Sequence, residues 1–165
     1  MIIRTAKILL ISAIALFYTL VVLNNITDFD SNYQFVRHVL MMDTTFPGNK
    51  AMWRSLNSEF WHLSFYLSII VWEMITMALC WLGAFMLLRK LRKPVVEFNS
   101  AKRIPIAALT LGMLMWLVAF LSIGAEWFLM WQSHAWNGQE AAFRMFVVLG
   151  FVLLLLMQPD REEQP

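Results

Sequence analysis

One ionisable residue, Glu73, lies inside a long apolar stretch of the sequence. It carries the only formal charge between Phe60 and Leu88. A helix of this length, at about 1.5 Å per residue, is longer than the hydrocarbon core of a bilayer is thick. An ionisable side chain at that depth costs roughly 3 kcal/mol unless it is paired, protonated or facing a cavity. Glu73 is therefore a candidate site for a proton or a cation, or a hydrogen-bonded link between helices.

The residues near Glu73 predict which side of this helix meets other helices. Four small or polar residues share its side when the segment is drawn at about 100° per residue: Tyr66, Thr76, Cys80 and Ala84. Large apolar residues occupy the opposite side, so we expect that side to face lipid. The intramembrane polar site is predicted to comprise Glu73, Tyr66 and Thr76, and Thr110 is a further hydrogen-bond partner from another helix.

A second group of candidate residues combines histidines, carboxylates and one arginine, all predicted on the outer side. Its members are Asp28, His38, Asp43, His62, Glu126, His134 and Arg144. Because histidine is the commonest metal ligand, His38, His62 and His134 are candidate ligands for zinc or copper, and a haem between His62 and His134 is a variant of that hypothesis. Their spacing matches no established metal motif, which favours ordinary interfacial histidines and no cofactor. Glu126 and Arg144, at the ends of neighbouring helices, are expected to form an ion pair.

Composition excludes several functional classes. The chain is 60% hydrophobic with a mean hydropathy of +0.62, whereas about half apolar is usual for a soluble domain. The net charge of +2 gives no support for nucleic-acid binding. The sequence contains no glycine-rich phosphate loop, HExxH, CxxC or GxSxG motif. No catalytic residue is predicted, and the leading interpretation is non-enzymatic.

The hydropathy pattern predicts an all-α membrane protein, with four transmembrane helices in a bundle and a single domain, residues 1–165. The predicted helices cover about residues 5–26, 59–90, 104–130 and 141–157. An outer loop (24–58) and a cytoplasmic loop (89–103) join them, and a polar tail (158–165) follows. Nine basic residues fall on the side of the two termini and four on the other side. The positive-inside rule therefore predicts that both termini are cytoplasmic.

The outer loop is predicted to be ordered. Its start is rich in Asp and Asn, which favours turns and a helix that begins after Asp30 or Ser31. Apolar residues then recur at helical spacing, which indicates a short amphipathic helix on the membrane or on the bundle: Phe35, Val36, Val39, Leu40 and Met42. Pro47 and Gly48 are expected to end this segment, and Asn57 or Ser58 to cap the next helix.

Several blocks of the sequence resemble one bacterial family. They are NNITDFDSNYQFVRHVLMMDTTFPGN, which begins at Asn24, the WR pair at Trp53, and WE and LCWLGA in the second long helix. The similar family consists of predicted small integral membrane proteins and is known only as a domain of unknown function (family 2165). The resemblance implies a multi-pass protein of the bacterial inner membrane, with no activity that can be carried over.

Three hypotheses for function remain open at this point. The first is an accessory or structural subunit of a membrane complex, or a homo-oligomer, whose partners are the lipid bilayer and other subunits or copies. It rests on the small-residue side of the Glu73 helix and on Ala108 and Gly112, whose spacing permits close helix approach. The second is a proton- or cation-coupled transporter or channel that uses Glu73. The third is a metal or haem protein of the outer face.

Overall fold

The computed structural model describes residues 1–160, and over these residues all regular secondary structure is helical, without strands. Four helices are long and apolar enough to cross a membrane. In chain order, the α-helices are α1 (Ile2–Thr27), α2 (Phe29–Met41), α3 (Glu59–Arg89), α4 (Val95–Ala101), α5 (Arg103–Leu114) and α6 (Gln139–Met157). Two 3-10 helices, Met52–Arg54 and Met130–Gln132, lie in the loops. A π-helical segment, Met115–Trp127, continues α5 and completes the third span.

The centre of the bundle is α3. It packs against α1 and α5, and α6 packs against α5, the π-helical segment and α1. The residues on the predicted small or polar side of α3 are at most 5% exposed, whereas Leu67, Val71 and Phe85 on the opposite side are 44–55% exposed. This burial pattern confirms the predicted orientation of the helix in the bundle.

Two glycines allow the helices to approach closely. A Cβ atom on Gly83 would lie 2.7 Å from Pro105 Cβ, and one on Gly112 would lie 2.6 Å from the hydroxyl oxygen of Tyr18. Ala108 is fully buried as well. The expected close approach at Ala108 and Gly112 is therefore present, but it joins helices of the same chain. These residues pack inside the protein and do not offer a surface to a partner.

The third span differs from the continuous helix predicted over residues 104–130. Its second half is π-helical and ends at Trp127, with hydrogen bonds between residues five apart. The N–H of Phe128 donates to the carbonyl of Ile123 (3.0 Å), and Ser122 Oγ donates to the carbonyl of Leu117 (2.9 Å). Such segments are rare and mostly short, and apolar composition gives no signal for them. Between this segment, α2 and α3 lies an apolar cavity of about 160 Å³.

The loop between the first two spans and the loop between the last two form a cap, which we call the aromatic cap and define as residues 29–58 and 127–138. Its helix α2 begins at Phe29, before the predicted start, because the chain turns immediately after α1. Val36 and Leu40 are buried, and α2 packs on α3, so the amphipathic helix lies on the bundle. Ser58 occupies the N-cap position of α3, without a side-chain hydrogen bond to the helix backbone.

Hydrogen bonds join the two halves of the aromatic cap. Thr44 Oγ1 donates to Ser133 Oγ (2.8 Å), and the N–H of Phe46 donates to Gln132 Oε1 (3.1 Å). Arg54 Nη1 donates to the carbonyl of Trp127 (3.3 Å). The loop between the first two spans is thereby fixed to the loop between the last two.

The opposite end of the bundle, which we call the basic end, consists of residues 1–7, 89–103 and 158–160. The predicted loop 89–103 contains the short helix α4, which the sequence analysis missed. Arg4 Nη1 donates to the carbonyls of Leu91 (3.1 Å) and Lys93 (2.7 Å), which fixes the start of α1 to this segment. Of the predicted tail 158–165, the first three residues pack here, and residues 161–165, including Arg161, lie outside the described residues.

Candidate functional site

Glu73 belongs to a buried hydrogen-bond network between α1 and α3. Asn25 Nδ2 donates to Glu73 Oε2 at 2.6 Å, and the two residues are 8% and 2% exposed. The hydroxyl of Tyr66 donates to the carbonyl of Asn25 at 3.0 Å. That carbonyl is one of the last four of α1, and the last four carbonyls of a helix have no N–H donor within that helix. Tyr66 therefore caps α1, while the side chain of Asn25 satisfies the carboxyl group.

Aromatic rings pack against Tyr66 of this network on the side of the aromatic cap. The ring of Phe29 meets Tyr66 edge to face at 4.8 Å between centroids, and Tyr33 lies 6.0 Å from Phe29 and 6.1 Å from Tyr66. Edge-to-face and offset arrangements are the favoured geometries of aromatic pairs. The rings of Phe29 and Tyr33 thus pack around Tyr66, whose hydroxyl bonds to Asn25.

The structure brings Glu73 and Tyr66 together through Asn25, but it does not include the two predicted threonines in the network. Thr76 is fully buried on the same side of α3, and its hydroxyl donates to the carbonyl of Trp72 (2.9 Å) within its own helix. Thr110 is exposed and likewise bonds to Ile106 (2.9 Å) in its own helix. Both hydroxyls satisfy the backbone one turn earlier, as Ser and Thr in helices commonly do. The partner that sequence reasoning missed is Asn25.

A second buried polar contact lies deeper in the bundle. Trp116 Nε1 donates to the hydroxyl of Tyr18 at 3.2 Å, at the place where Gly112 leaves room for that hydroxyl. Nearby, Trp72 Nε1 donates to the carbonyl of Leu111 at 3.1 Å, just before α5 changes to the π-helical segment. The two indole N–H groups thereby tie α1 and α3 to the third span.

The three histidines lie in three different surroundings. His38 Nδ1 is 2.7 Å from Asp43 Oδ2, and its ring stacks on Trp136 at 4.7 Å. His62 is buried, and its Nε2 lies 2.7 Å from the carbonyl of Leu56; because a carbonyl only accepts, Nε2 carries a proton. His134 is exposed. Within residues 1–160 no three His, Cys, Asp or Glu side chains are grouped so that they could hold a metal ion.

The remaining predicted site residues are at the surface. Glu126 and Arg144 are both exposed, and the described part of the chain contains no ion pair between them, contrary to expectation. Because neither side chain is buried within the protein, burial does not force the two to pair. Asp28 is exposed, and its Oδ1 accepts from Ser31 Oγ at 2.9 Å near the start of α2.

A buried charge cluster at the basic end was not predicted. Lys7 Nζ donates to Asp160 Oδ2 at 2.8 Å and to the carbonyl of Gln158 at 2.7 Å. Lys102 Nζ pairs with the same carboxylate and donates to the same carbonyl at 2.8 Å. The three charged side chains are 4–5% exposed. Burial opposes ionisation of Asp160, but the hydrogen bonds from Lys102 and Lys7 outweigh it and lower the pKa of that carboxyl group.

The arrangement around Glu73 is suited to joining helices. The carboxyl group borders neither the cavity under α2 nor the cleft at the basic end. The hydrogen bond that it accepts from Asn25 gives it a partner within the bundle. Buried polar groups with partners of this kind fix the register of neighbouring elements.

Comparison with known proteins agrees with this architecture. The family model of predicted small integral membrane proteins, DUF2165, matches residues 3–159, so the match includes all four spans and the aromatic cap. No curated protein and no solved structure matches the chain. The resemblance carried by the loop and by the second span is confirmed, and the chain belongs to the family of predicted small integral membrane proteins DUF2165.

Proposed function

We propose that this integral membrane protein is a non-enzymatic accessory or structural subunit, which assembles in the membrane with a larger complex or with copies of itself. In this proposal the membrane is the bacterial inner membrane, both termini are cytoplasmic, and the aromatic cap is the docking surface on the outer side. The observation that carries the proposal is the cap itself, since a 30-residue loop need not fold to connect two spans.

The surface of the cap supports an assembly role. Phe46 and Trp53 are 50% and 73% exposed, and each ring contacts a tryptophan of the other half of the cap. Arg54 lies between the rings of Trp53 and Trp127, with its guanidinium carbon 5.3 and 4.7 Å from their centroids. Tryptophan and arginine are the residues most enriched at the centres of protein interfaces. Hydrogen bonds hold this surface in place before any partner binds.

The interior of the bundle favours the same role over transport. The small residues of α3 and α5 pack within the chain, and Glu73 is 2% exposed and accepts a hydrogen bond from Asn25. A transport site needs access for its ion, and transporters generally supply it through interrupted helices and cavities at the midplane. Glu73 lies within an uninterrupted helix, α3.

Native mass spectrometry of the tagged protein, gently extracted from its host membrane, tests the proposal. We expect added polypeptide mass, from a partner or from further copies. The double variant Phe46→Ala/Trp53→Ala should lose that mass. The control Phe143→Ala/Phe151→Ala removes two exposed rings from α6 and should keep it.

A lone chain in both the parent protein and the control would overturn the proposal. Ion flux in vesicles would then be measured for the parent and for Glu73→Gln. A pH-dependent flux that is abolished by this substitution would establish the transport hypothesis in its place. Equal loss of added mass in the two double variants would instead show that exposed rings in general, and not the cap, support assembly.

A further inference from the structure

The basic end carries far more positive than negative charge. Eight basic side chains of the described residues lie there: Arg4, Lys7, Arg89, Lys90, Arg92, Lys93, Lys102 and Arg103. The carboxylates of the same segments are Glu97, which pairs with Lys90, and Asp160. Such an excess next to apolar spans attracts anionic headgroups at the membrane surface.

Part of this positive charge is buried rather than spread over the surface. Lys7 and Lys102 share the single carboxylate of Asp160, so the cluster holds two basic side chains and one acidic side chain at 4–5% exposure. An ammonium group has three N–H donors, and Lys7 uses two of them, for Asp160 and for the carbonyl of Gln158. A buried cation with a spare donor is stabilised by an anion that enters from outside.

A cleft of about 980 Å³ lies beside this cluster, between the start of α1, residues 93–95 and the end of α6. Arg4, Lys7 and Lys93 line it together with Gln158, the Asp160 carboxylate that pairs with Lys7, and apolar residues. Leu10 and Leu155 belong to the same lining and sit three residues further into their spans than Lys7 and Gln158. At about 1.5 Å per residue, the apolar wall lies roughly 4.5 Å deeper in the membrane than the basic groups.

Arg4 is held in position at this cleft and keeps N–H donors available for a ligand. Its guanidinium carbon lies 4.8 Å from the ring centroid of the buried Phe98. Its bonds to the carbonyls of Leu91 and Lys93 use one terminal nitrogen of a group that carries five N–H donors. The remaining donors suit a phosphate, for which the planar guanidinium is a preferred partner.

We propose that this cleft is a binding site for an anionic phospholipid, with the phosphate held by Arg4, Lys7 and Lys93 and an acyl chain against Leu10 and Leu155. The basic groups recognise the phosphate and the net negative charge of the headgroup. The deeper apolar wall selects a lipid over a free anion. A zwitterionic headgroup lacks the net charge that the cleft attracts.

Native mass spectrometry with added lipid tests the site on the full chain in neutral detergent. The lipids are phosphatidylglycerol and phosphatidylethanolamine with identical acyl chains. We expect retention of phosphatidylglycerol at concentrations about tenfold lower than those for phosphatidylethanolamine. The variant Arg4→Gln/Lys93→Gln should abolish this preference. The control Arg92→Gln/Arg103→Gln removes the same charge from exposed positions of the same end, outside the cleft, and should keep the preference.

Three results would overturn the proposal. Equal retention of the two lipids by the parent protein would show no headgroup selection. Equal loss of preference in the two double variants would show a general charge effect. Displacement of the lipid by inorganic phosphate at comparable concentration would assign the site to a free anion. If Arg4→Gln/Lys93→Gln has a lowered unfolding temperature, the exposed single change Lys93→Gln replaces it, with a several-fold loss of preference expected and an unchanged preference counting against the site.

Discussion

Asn25 contributes both its side chain and its main chain to the polar contact between α1 and α3. Its amide donates to Glu73, and its carbonyl accepts from Tyr66. The side-chain bond is charge-assisted when Glu73 is ionised, and the carboxyl group has no water to replace a lost donor at this depth. Asn25 contacts both Glu73 and Tyr66, so the network depends on Asn25 more than on either of those two residues.

Replacing Asn25 by Leu should lower the free energy of unfolding by about 1–3 kcal/mol, because it leaves the Glu73 carboxyl group without its donor. The measurement is the shift in thermal unfolding midpoint in detergent. Asn24→Leu is the matched control, since Asn24 is exposed at the adjacent position of α1. Equal midpoints for the two variants would contradict the role assigned to the Asn25 amide.

Asp160→Asn should destabilise the basic end by about 3 kcal/mol, because two buried lysines lose their shared carboxylate. Since the pKa of Asp160 is lowered in the folded protein, its stabilising effect is present above the unfolded pKa of about 3.9 and is lost as the pH falls through the folded value. The difference in unfolding midpoint between parent and variant should be full at pH 7 and shrink below about pH 4.

Glu97→Gln serves as the control for Asp160→Asn at the same end of the bundle. It breaks the solvent-exposed pair with Lys90, and water screens such pairs. A loss of stability as large as that of Asp160→Asn would show that burial of the Lys7, Asp160 and Lys102 cluster does not explain the effect of Asp160→Asn.

Single residues differed in how far the sequence could predict them. Glu73 was identifiable because one charge in an apolar span has a large transfer cost, and its side of α3 followed from helical periodicity. Asn25 was not, because it lies at the end of α1 and its contact depends on the register of α1 against α3. The pairing of Lys7 with Asp160 joins residues 153 positions apart, which no local pattern encodes.

At the scale of the elements, the contact between α3 and α5 rests on a glycine facing a proline. Pro105 lies in the first turn of α5, where a missing N–H costs nothing. Its ring occupies the space that a side chain at position 83 would need. The two helices therefore cross closely at the basic end.

Gly83→Ala should destabilise the protein by about 1–3 kcal/mol, although alanine is the better helix former, because the new methyl group would meet a rigid ring at 2.7 Å. Gly150→Ala is the control: its Cβ would meet the flexible end of Met113 at 3.4 Å, so the helix gain of up to about 1 kcal/mol should appear. Thermal unfolding midpoints that move in the same direction for both variants would refute this account of the contact.

Element prediction succeeded where length and hydropathy decide the outcome. The four spans were predicted because a helix of about 20 apolar residues is long enough to cross the hydrocarbon core of a bilayer. The short helix α4 was missed, because seven residues between basic and proline-containing segments carry little periodicity. The π-helical segment was missed because its residues would form an α-helix equally well by composition.

At the scale of the whole molecule, the two ends of the bundle differ in chemistry. One end is basic, and the other carries the aromatic cap, which has no concentration of lysine or arginine comparable to residues 89–103. This asymmetry predicts a single orientation, with the basic end in the cytoplasm.

Cysteine labelling of intact cells checks the orientation. Native Cys80 is fully buried and serves as a silent background. Cysteines introduced by Asn57→Cys in the aromatic cap and by Ser100→Cys at the basic end lie at exposed positions. A membrane-impermeant maleimide should label position 57 directly and position 100 only after permeabilisation. The reverse pattern would place the basic end outside.

The residues of the ion cluster at the basic end are synthesised at different times. Lys7 enters the membrane interface with α1, but its carboxylate partner lies 153 residues later, beyond α6. At the usual speed of translation, roughly 8 to 30 s separate the synthesis of the two residues. During that interval Lys7 of the nascent chain lacks its carboxylate partner, Asp160. The cluster can therefore close only after α6 has been synthesised.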